Sequence, residues 1–428
     1  MVVALKLSIC IDNLYCGGPA QIWTYKSTID WVRASLAVRP PRTSKKRRLG
    51  PNRHLLSAWG DCIPGCRPQV APKITQTRRS DMNLAQTRWF FIEICIKNRK
   101  HTNYDKQEIL QILKDMKLNA TPGPDGSNVE FYLASWDWIG DEVIDLVISF
   151  YKSGILPPHI SDTNIALIPK KLVPQVPMDF RPISLCNVVY KIIAKSLANR
   201  LKPHLPDYID PAQQAFIEGR RISDNIIIAQ EITHSFALKS WEHHAFMLKI
   251  DLAKAFDRLE WNFIVSALAR KGLHDHFINL IYACISTPTF SVIINGQPSH
   301  KFKSHRGIRQ GCPLSPYLFV LAINELSLAL NDAMAANHLQ GISLGPNCPP
   351  VHSLLFADDL LVCGQANTSE VNTMAQIIHH FCVISGQTPN WSKSAILFSA
   401  HVSQTVIADI KNIFPVPSMD NNFTHLGH

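Results

Sequence analysis

Two adjacent acids, Asp358 and Asp359, lie between two short apolar runs, 353–357 and 360–363. This pattern predicts a β-hairpin with both carboxylates at its tip. Like charges placed side by side between core-forming strands are unfavourable unless a cation or another partner neutralises them. A divalent metal ion is one such partner. Asp is also a common turn residue, however, and a solvated turn is the simpler explanation of this pair taken alone.

A third acid, Asp251, ends the strand-like run 245–251 well upstream of the pair. We expect carboxylates at the ends of neighbouring strands to lie close together. Carboxylate oxygens are ligands that Mg²⁺ prefers. Three carboxylates are enough to hold two ions about 3.5–4 Å apart for in-line phosphoryl transfer. Asp251, Asp358 and Asp359 together therefore predict a catalytic two-metal site.

Two cations, Lys170 and Arg181, lie at the ends of neighbouring extended segments. Lys170 follows the apolar run 165–168, and Arg181 lies near the start of the segment 179–185. Both side chains are therefore able to point at one anion. For either residue taken alone, a surface cation that has no partner is the favoured explanation.

A glycine-rich turn around Gln310 and Gly311 precedes an apolar helix. Gly307 and Gly311 flank Gln310, and glycine allows the backbone to approach a flat ligand such as a base or ribose closely. Ser315 suits the N-cap of the helix that follows, and Pro316 its first position. As an isolated turn, this segment is weak evidence for a binding site.

The elements that must position these residues follow from apolar periodicity and turn residues. Helices are predicted from about 105, 141–152, 188–201, 224–238, 261–270, 275–285, from 315, 369–385 and 404–413. Strands are predicted at 163–171, 245–251, 289–295 with 297–303, 353–363 and 395–398. Helices on an antiparallel sheet, with acids on its first strand and central hairpin, describe a ferredoxin-like α+β palm.

Charge is distributed unevenly over the 428 residues, although the hydrophobic and charged fractions, 46% and 18%, are ordinary. Residues 1–100 contain 18 Lys and Arg against 5 Asp and Glu, whereas the rest contains 25 against 28. We expect region 1–100 to be poorly ordered. Its basic run 42–48 is typical of a nucleic-acid patch, a nuclear-import signal or a solvated tail. The sequence contains no run of about 18 or more uncharged apolar residues, so no membrane span is predicted.

The motifs occur together in one family. Residues 101–428 resemble the reverse transcriptase domain of LINE-type, non-LTR retrotransposons. The motifs that carry this resemblance are the aromatic-x-Asp-Asp box at 356–359, Asp251 with Phe256, Gln310 with Gly311, and the loop 121–126. The resemblance implies right-hand fingers at about 105–244 and a palm at about 245–428. The segment 423–428 resembles the primer grip, and the thumb that would follow it is missing.

The resemblance also implies a role for each residue. Asp251 and Asp358 would ligate two Mg²⁺ ions with help from the Leu252 carbonyl, and Asp359 would support them. Phe256 would lie under the sugar of the incoming nucleotide, although a core Phe on a short helix is the simpler explanation. The remaining predicted contacts are those of Gln310 and Gly311 with template and nucleotide, of Lys170 and Arg181 with the triphosphate, and of Lys393 as a general acid.

The predicted function is therefore RNA-directed DNA synthesis. Its partners would be an RNA template, a DNA primer and deoxynucleoside triphosphates, and the basic run 42–48 and the resemblance favour a nuclear location. Two alternatives remain open. One is a maturase-like reverse transcriptase, and the other is an inactive transposon remnant that only binds nucleic acid.

Overall fold

The computed structural model describes residues 106–238, 243–345 and 348–419. The chain divides into two compact units. The smaller unit is described over Ala166–Pro182, and the larger over the described parts of 52–165 and 183–428. The predictions for 1–100, with its run 42–48, and for 423–428 fall outside the described residues. The boundary between fingers and palm at 244/245 stays a prediction.

The first half of the described chain is mainly helical. Its elements are α1 (Lys106–Lys114), α2 (Val129–Ala134), α3 (Trp136–Ser153), β1 (Thr163–Pro169), β2 (Phe180–Cys186), α4 (Val188–Leu201), α5 (Leu205–Tyr208) and α6 (Ile222–Ala237). A left-handed glycine, Gly154, ends α3 at a φ of 71°. This is the usual way in which a helix is stopped, because glycine adopts that conformation without a steric penalty.

The second half alternates strands and helices. Its elements are β3 (Ala245–Asp251), α7 (Ala255–Arg258), α8 (Trp261–Arg270), α9 (Asp275–Ser286), β4 (Thr289–Ile294), β5 (Gln297–Pro298), β6 (Phe302–Lys303), α10 (Ser315–Ala335), β7 (Ser353–Phe356), β8 (Asp359–Gln365), α11 (Thr368–Ser385), β9 (Ala395–Phe398) and α12 (Gln404–Ile413). Side-chain oxygens of Asn367 and Ser403 cap the start of α11 and α12. The mixed helix and sheet content of the prediction is confirmed.

A four-stranded sheet in the order β7-β8-β3-β9 carries the acids, and its neighbouring strands are antiparallel. β3 is almost fully buried, and β8 and β9 pair with its two edges. In the same unit, residues 163–165 of β1 run parallel to residues 290–292 of β4. The sheet therefore supplies the antiparallel frame that the sequence predicted around Asp251.

Helix α10 forms the centre of the core of the larger unit. It is buried nearly all round, from Leu318 and Phe319 to Leu330. By length and composition alone it is the one helix in the described part that is apolar enough to cross a membrane. Its position in the core accounts for that composition, because a helix buried on every side is apolar on every side.

Two local predictions need correction. α10 begins at Ser315, and Leu314 rather than Ser315 occupies the N-cap position. The strand predicted over 297–303 is broken into the short pieces β5 and β6. Pro298 pairs with Ile293 whereas Phe302 pairs with Phe290, so the register shifts by one residue between the two pieces. The Ser299 hydroxyl accepts the Val292 N–H there in place of a backbone carbonyl (2.9 Å). A one-residue shift of this kind interrupts the ladder, so the predicted strand is divided in two.

Candidate active site

The predicted hairpin is present, and its register places two acids opposite each other. Asp251 at the end of β3 pairs with Asp359 at the start of β8. Phe356 also pairs with Asp359, which leaves Ala357 and Asp358 as a two-residue loop. All three predicted acids therefore lie at one end of one sheet, although Asp359 belongs to the strand and only Asp358 to the turn.

The electrostatics of this end of the sheet favour a cation. Asp359 is half-buried, and its pKa is raised by desolvation and by the negative charge of Asp358, with a further contribution from Asp251. Lys249 opposes this increase only in part. The donors are hard oxygen atoms, the type that Mg²⁺ prefers. In the described part of the chain, however, no three His, Cys, Asp or Glu side chains converge as a ready metal cluster. Metal ligation by Asp251, Leu252, Asp358 and Asp359 stays a prediction.

A ring of three hydrogen bonds fixes the backbone of Asp251. Its N–H donates to the hydroxyl of Ser394 (3.1 Å), Ser394 donates to the carbonyl of Asn390 (2.8 Å), and the Asn390 N–H donates to the Asp251 carbonyl (2.7 Å). Ser394 is fully buried. The sequence analysis selected the exposed Lys393 next to it and missed Ser394, because nothing local marks a serine that bonds to a strand 143 positions away.

Phe256 lies on the short helix α7 and is half-buried. Its ring stacks on Phe319 of α10 with centroids 4.6 Å apart and planes 10° from parallel. The buried Gln387 holds the same helix, because its side-chain amide donates to the carbonyl of Ala255 (2.9 Å). The short-helix, core-packed explanation of Phe256 is therefore confirmed, and its contact with a nucleotide sugar stays a prediction.

The glycine-rich turn packs beside α7. The N–H of Ile308 donates to the Phe256 carbonyl (2.8 Å), and the carbonyl of Gln310 accepts from the N–H of Ser184 (2.8 Å). Gly311 has a φ of +105°, and a Cβ there would lie 3.1 Å from the Ser184 carbonyl oxygen. The group that approaches Gly311 closely is thus the backbone of β2, and the approach of this turn to a base or ribose stays a prediction.

Arg309, on the same turn, was not predicted from the sequence. It is buried without a carboxylate partner among the described residues. Its guanidinium lies 3.8 Å from the centre of the Tyr190 ring. It donates to the Cys284 carbonyl at the end of α9 (2.9 Å) and to the Thr163 hydroxyl (3.0 Å). An always-charged side chain is thus satisfied by carbonyl and hydroxyl oxygens and a π-face. It anchors the turn that carries Gln310.

Lys170 and Arg181 belong to the smaller unit, and both are exposed. The N–H of Lys170 donates to the Asp179 carbonyl (2.7 Å), and its ammonium donates to the Met178 carbonyl (3.0 Å). The neighbouring Lys171 pairs with Asp179 (2.9 Å). Lys170 therefore lies at the base of the connection between β1 and β2, and the contact of both cations with a triphosphate stays a prediction.

Comparison with known proteins agrees with the motifs. A family model described as reverse transcriptase (RNA-dependent DNA polymerase) matches residues 168–428. The chain is 30% identical over 299 residues to the transposon TX1 uncharacterized 149 kDa protein of Xenopus laevis, covering 70% of this chain and 22% of that protein. It is 26% identical over 337 residues to the retrovirus-related Pol polyprotein from type-1 retrotransposable element R2 of Popillia japonica, covering 76% and 44%.

The chain thus spans less than half the length of these two curated relatives. Among solved structures, apo telomerase from Candida tropicalis, truncated from the C-terminal domain, is similar with a TM-score of 0.41 and 14% identity, covering 66% of this chain and 59% of that chain. The resemblance predicted from the motifs is confirmed by the family match and the retrotransposon relatives. The chain belongs to the reverse transcriptase (RNA-dependent DNA polymerase) family, in the LINE-type group.

Proposed function

We propose that this chain is an RNA-directed DNA polymerase that adds deoxynucleotides to the 3′-hydroxyl of a DNA primer on an RNA template. The observation that carries the proposal is the pairing of Asp251 with Asp359 at the end of a buried sheet, with Asp358 in the adjoining turn. Membership of the reverse transcriptase family supports the same chemistry. In this proposal β3, β7, β8 and β9 are the core of the palm, and residues from about 105 to 244 form the fingers.

The acids would serve as ligands for two Mg²⁺ ions. Asp251 and Asp358 would hold the ions, the Leu252 carbonyl would add an oxygen ligand, and Asp359 would contribute negative charge beside them. In such a site the bound ions activate the primer hydroxyl and stabilise the leaving pyrophosphate. The fit rests on the oxygen donors and on the raised pKa of Asp359, since a nearby cation removes the cost of its ionisation.

Phe256 and the glycine-rich turn would select the nucleotide. Phe256 is held from two sides, by Phe319 and through Gln387, so its ring has little freedom to move away from a ligand. A fixed aromatic ring under the sugar leaves no room for a 2′-hydroxyl and so favours deoxynucleotides. Gln310 and Gly311 lie on the turn that packs on the same short helix, and they would position the base pair being formed.

Three cations would act on the triphosphate. Arg181 offers a planar fork and Lys170 a point charge, which together suit a polyphosphate. Lys393 is exposed one residue before Ser394, which bonds to Asp251, so it lies on the segment that is fixed against the acids. In this proposal Lys393 donates a proton to the leaving pyrophosphate.

Primer extension on an RNA template, with deoxynucleotides and Mg²⁺, tests the function. The full chain is compared with its Asp358→Ala variant and with Asp409→Ala, which removes an exposed acid from α12. We expect extension by the wild type and by Asp409→Ala, and none by Asp358→Ala. If none of the three extends a primer while all bind an RNA–DNA duplex, the polymerase proposal is wrong, and the nucleic-acid-binding remnant becomes the better account.

A further inference from the structure

We propose that Gln213 is a positioning residue for the turn that carries Asp358, and that the metal affinity of the site depends on it. The proposal rests on the proposed function, because it assumes that the acids of this turn bind Mg²⁺. Gln213 lies in the polar connection between α5 and α6, whose residues make none of the predicted contacts with a nucleotide or metal ion.

The contact itself is specific. The side-chain oxygen of Gln213 accepts the N–H of Ala357 (3.0 Å) and the N–H of Ala215 (2.9 Å). Gln213 is fully buried, and Ala357 is 8% exposed. One carbonyl oxygen therefore joins its own segment to the first residue of the catalytic turn, 144 positions away.

The turn needs such a contact. Ala357 has a φ of +54°, a left-handed conformation that residues with a Cβ rarely adopt. A two-residue hairpin loop usually has glycine where φ is positive. The next two residues, Asp358 and Asp359, carry like charges that favour their separation. Both effects work against the observed turn, so an external hydrogen bond to Ala357 is required to keep Asp358 in place.

The segment behind Gln213 is rigid. Arg220 donates to the carbonyls of Gln213 and Asp210 (both 2.6 Å) and of Ile209 (2.8 Å). The backbone of this segment also bonds to Leu355 of β7 on both sides, through Ala212 and Gln214 (2.9 and 3.0 Å). The backbone of Gln213 is therefore fixed against β7, and this fixes the position from which its side chain extends to the turn.

The side-chain nitrogen of Gln213 argues against a role of this residue in stability alone. The Gln213 nitrogen is buried and has no hydrogen-bond partner in the described part of the chain. A buried donor without an acceptor is unfavourable, so the amide is a poor choice for packing. What it provides in this position is an acceptor for Ala357, which an apolar side chain of the same size does not provide.

The neighbouring Gln214 gives a matched control. It is equally buried, 2% exposed, and it lies in the same segment. Its side chain donates to the Pro211 carbonyl (2.9 Å) and makes no hydrogen bond to the turn. Gln213→Leu and Gln214→Leu therefore each remove one buried amide, and only the first removes the contact with Ala357.

The experiment measures Mn²⁺ binding to the full chain by the electron paramagnetic resonance signal of free Mn²⁺, together with hydrogen exchange of the hairpin amides. The proteins are the wild type, Gln213→Leu, Gln214→Leu and Asp358→Ala. We expect Gln213→Leu to raise the dissociation constant about 10- to 100-fold, the range for outer residues that orient metal ligands. Exchange at Ala357 should accelerate, while the amides of β3 stay protected.

The outcomes separate the two proposals. If Gln213→Leu and Gln214→Leu change Mn²⁺ affinity equally, or if neither changes it, Gln213 has no positioning role. If wild type and Asp358→Ala bind Mn²⁺ equally, the proposed metal site is refuted and this inference falls with it. Weaker binding in Gln213→Leu and in Asp358→Ala but not in Gln214→Leu, with faster exchange at Ala357 in Gln213→Leu, supports the inference.

Discussion

Two aspartates of the larger unit, Asp162 and Asp359, have opposite surroundings. Asp162 lies before β1, and its side chain is 10% exposed. It accepts hydrogen bonds from Lys301 (2.6 Å), from His159 (2.9 Å) and from the hydroxyl of Thr289. Asp359 lies at the start of β8, where its strongest electrostatic neighbour is the acid Asp358, followed by Lys249 and then by the acid Asp251.

The pKa values follow these surroundings. Burial would raise the pKa of Asp162, but its bonds to Lys301, Thr289 and His159 lower it overall. The pKa of Asp359 is raised, because desolvation and like charges act together and Lys249 offsets them only in part. The negative charge of Asp162 is stabilised by groups of the protein, whereas that of Asp359 would be stabilised by a bound cation. This difference is what separates a structural carboxylate from a candidate catalytic one.

The largest expected effect is a loss of primer extension when a candidate catalytic acid is neutralised. Asp251→Asn keeps the size of the side chain and the backbone bonds to Ser394 and Asn390, and it removes only the charge. We expect primer extension to fall about 10³-fold, the loss of several kcal/mol of transition-state stabilisation. Asp162→Asn should retain extension per folded molecule. Similar losses in both variants, measured well below their unfolding temperatures, would contradict the distinction.

The second effect concerns stability. Asp162→Asn should lower the free energy of unfolding by about 2 kcal/mol at pH 7, because charge-assisted bonds to a buried carboxylate are lost. A lowered pKa contributes stability above the ordinary Asp value of 3.8 and loses it as pH falls through the folded-state pKa. The difference between variant and wild type should therefore shrink below about pH 4. Urea unfolding across this range checks it, and a difference independent of pH would refute the ionic account.

The smallest effect has the opposite sign. Asp359→Asn should raise the free energy of unfolding at pH 7 without Mg²⁺, by less than about 1 kcal/mol, because the site is half-exposed and solvent screens the repulsion. The raised pKa means that ionisation removes stability as pH rises from 3.8, so the gain should vanish in acid. Thermal unfolding with and without Mg²⁺ measures it. Destabilisation by Asp359→Asn in metal-free buffer would contradict the claim that the charge of Asp359 is unfavourable without a bound cation.

Much of the fold could be predicted from local sequence. The helices over 188–201, 261–270 and 404–413 and the strands over 245–251 and 395–398 have the predicted bounds. Their apolar residues recur at a helical period or form short buried runs, and both signals are local. The errors are local as well, as over 297–303, where a one-residue shift in register divides the predicted strand.

The residues that hold the site could not be predicted in this way. Asp251 and Asp358 were identified because their type and neighbours suggest chemistry. Gln213, Ser394 and Arg309 act through single hydrogen bonds or a ring contact to segments more than a hundred positions away. A glutamine in a polar connection and a serine before a strand have the same local pattern whether or not they make such a bond. Only the tertiary structure distinguishes them.

The hydrogen-bonded ring of Asp251, Asn390 and Ser394 also bears on the synthesis of the protein. β3 leaves the ribosome long before its neighbours β8 and β9, and the Ser394 hydroxyl that secures Asp251 follows 143 residues later. Pairing over such sequence distances is slow, and a strand that waits for its partners is exposed to aggregation. Asp251 therefore obtains its final geometry only when nearly all of the described chain has been translated. A nascent chain that still lacks β9 already carries all three acids, but it does not yet have the arrangement that the proposed chemistry needs.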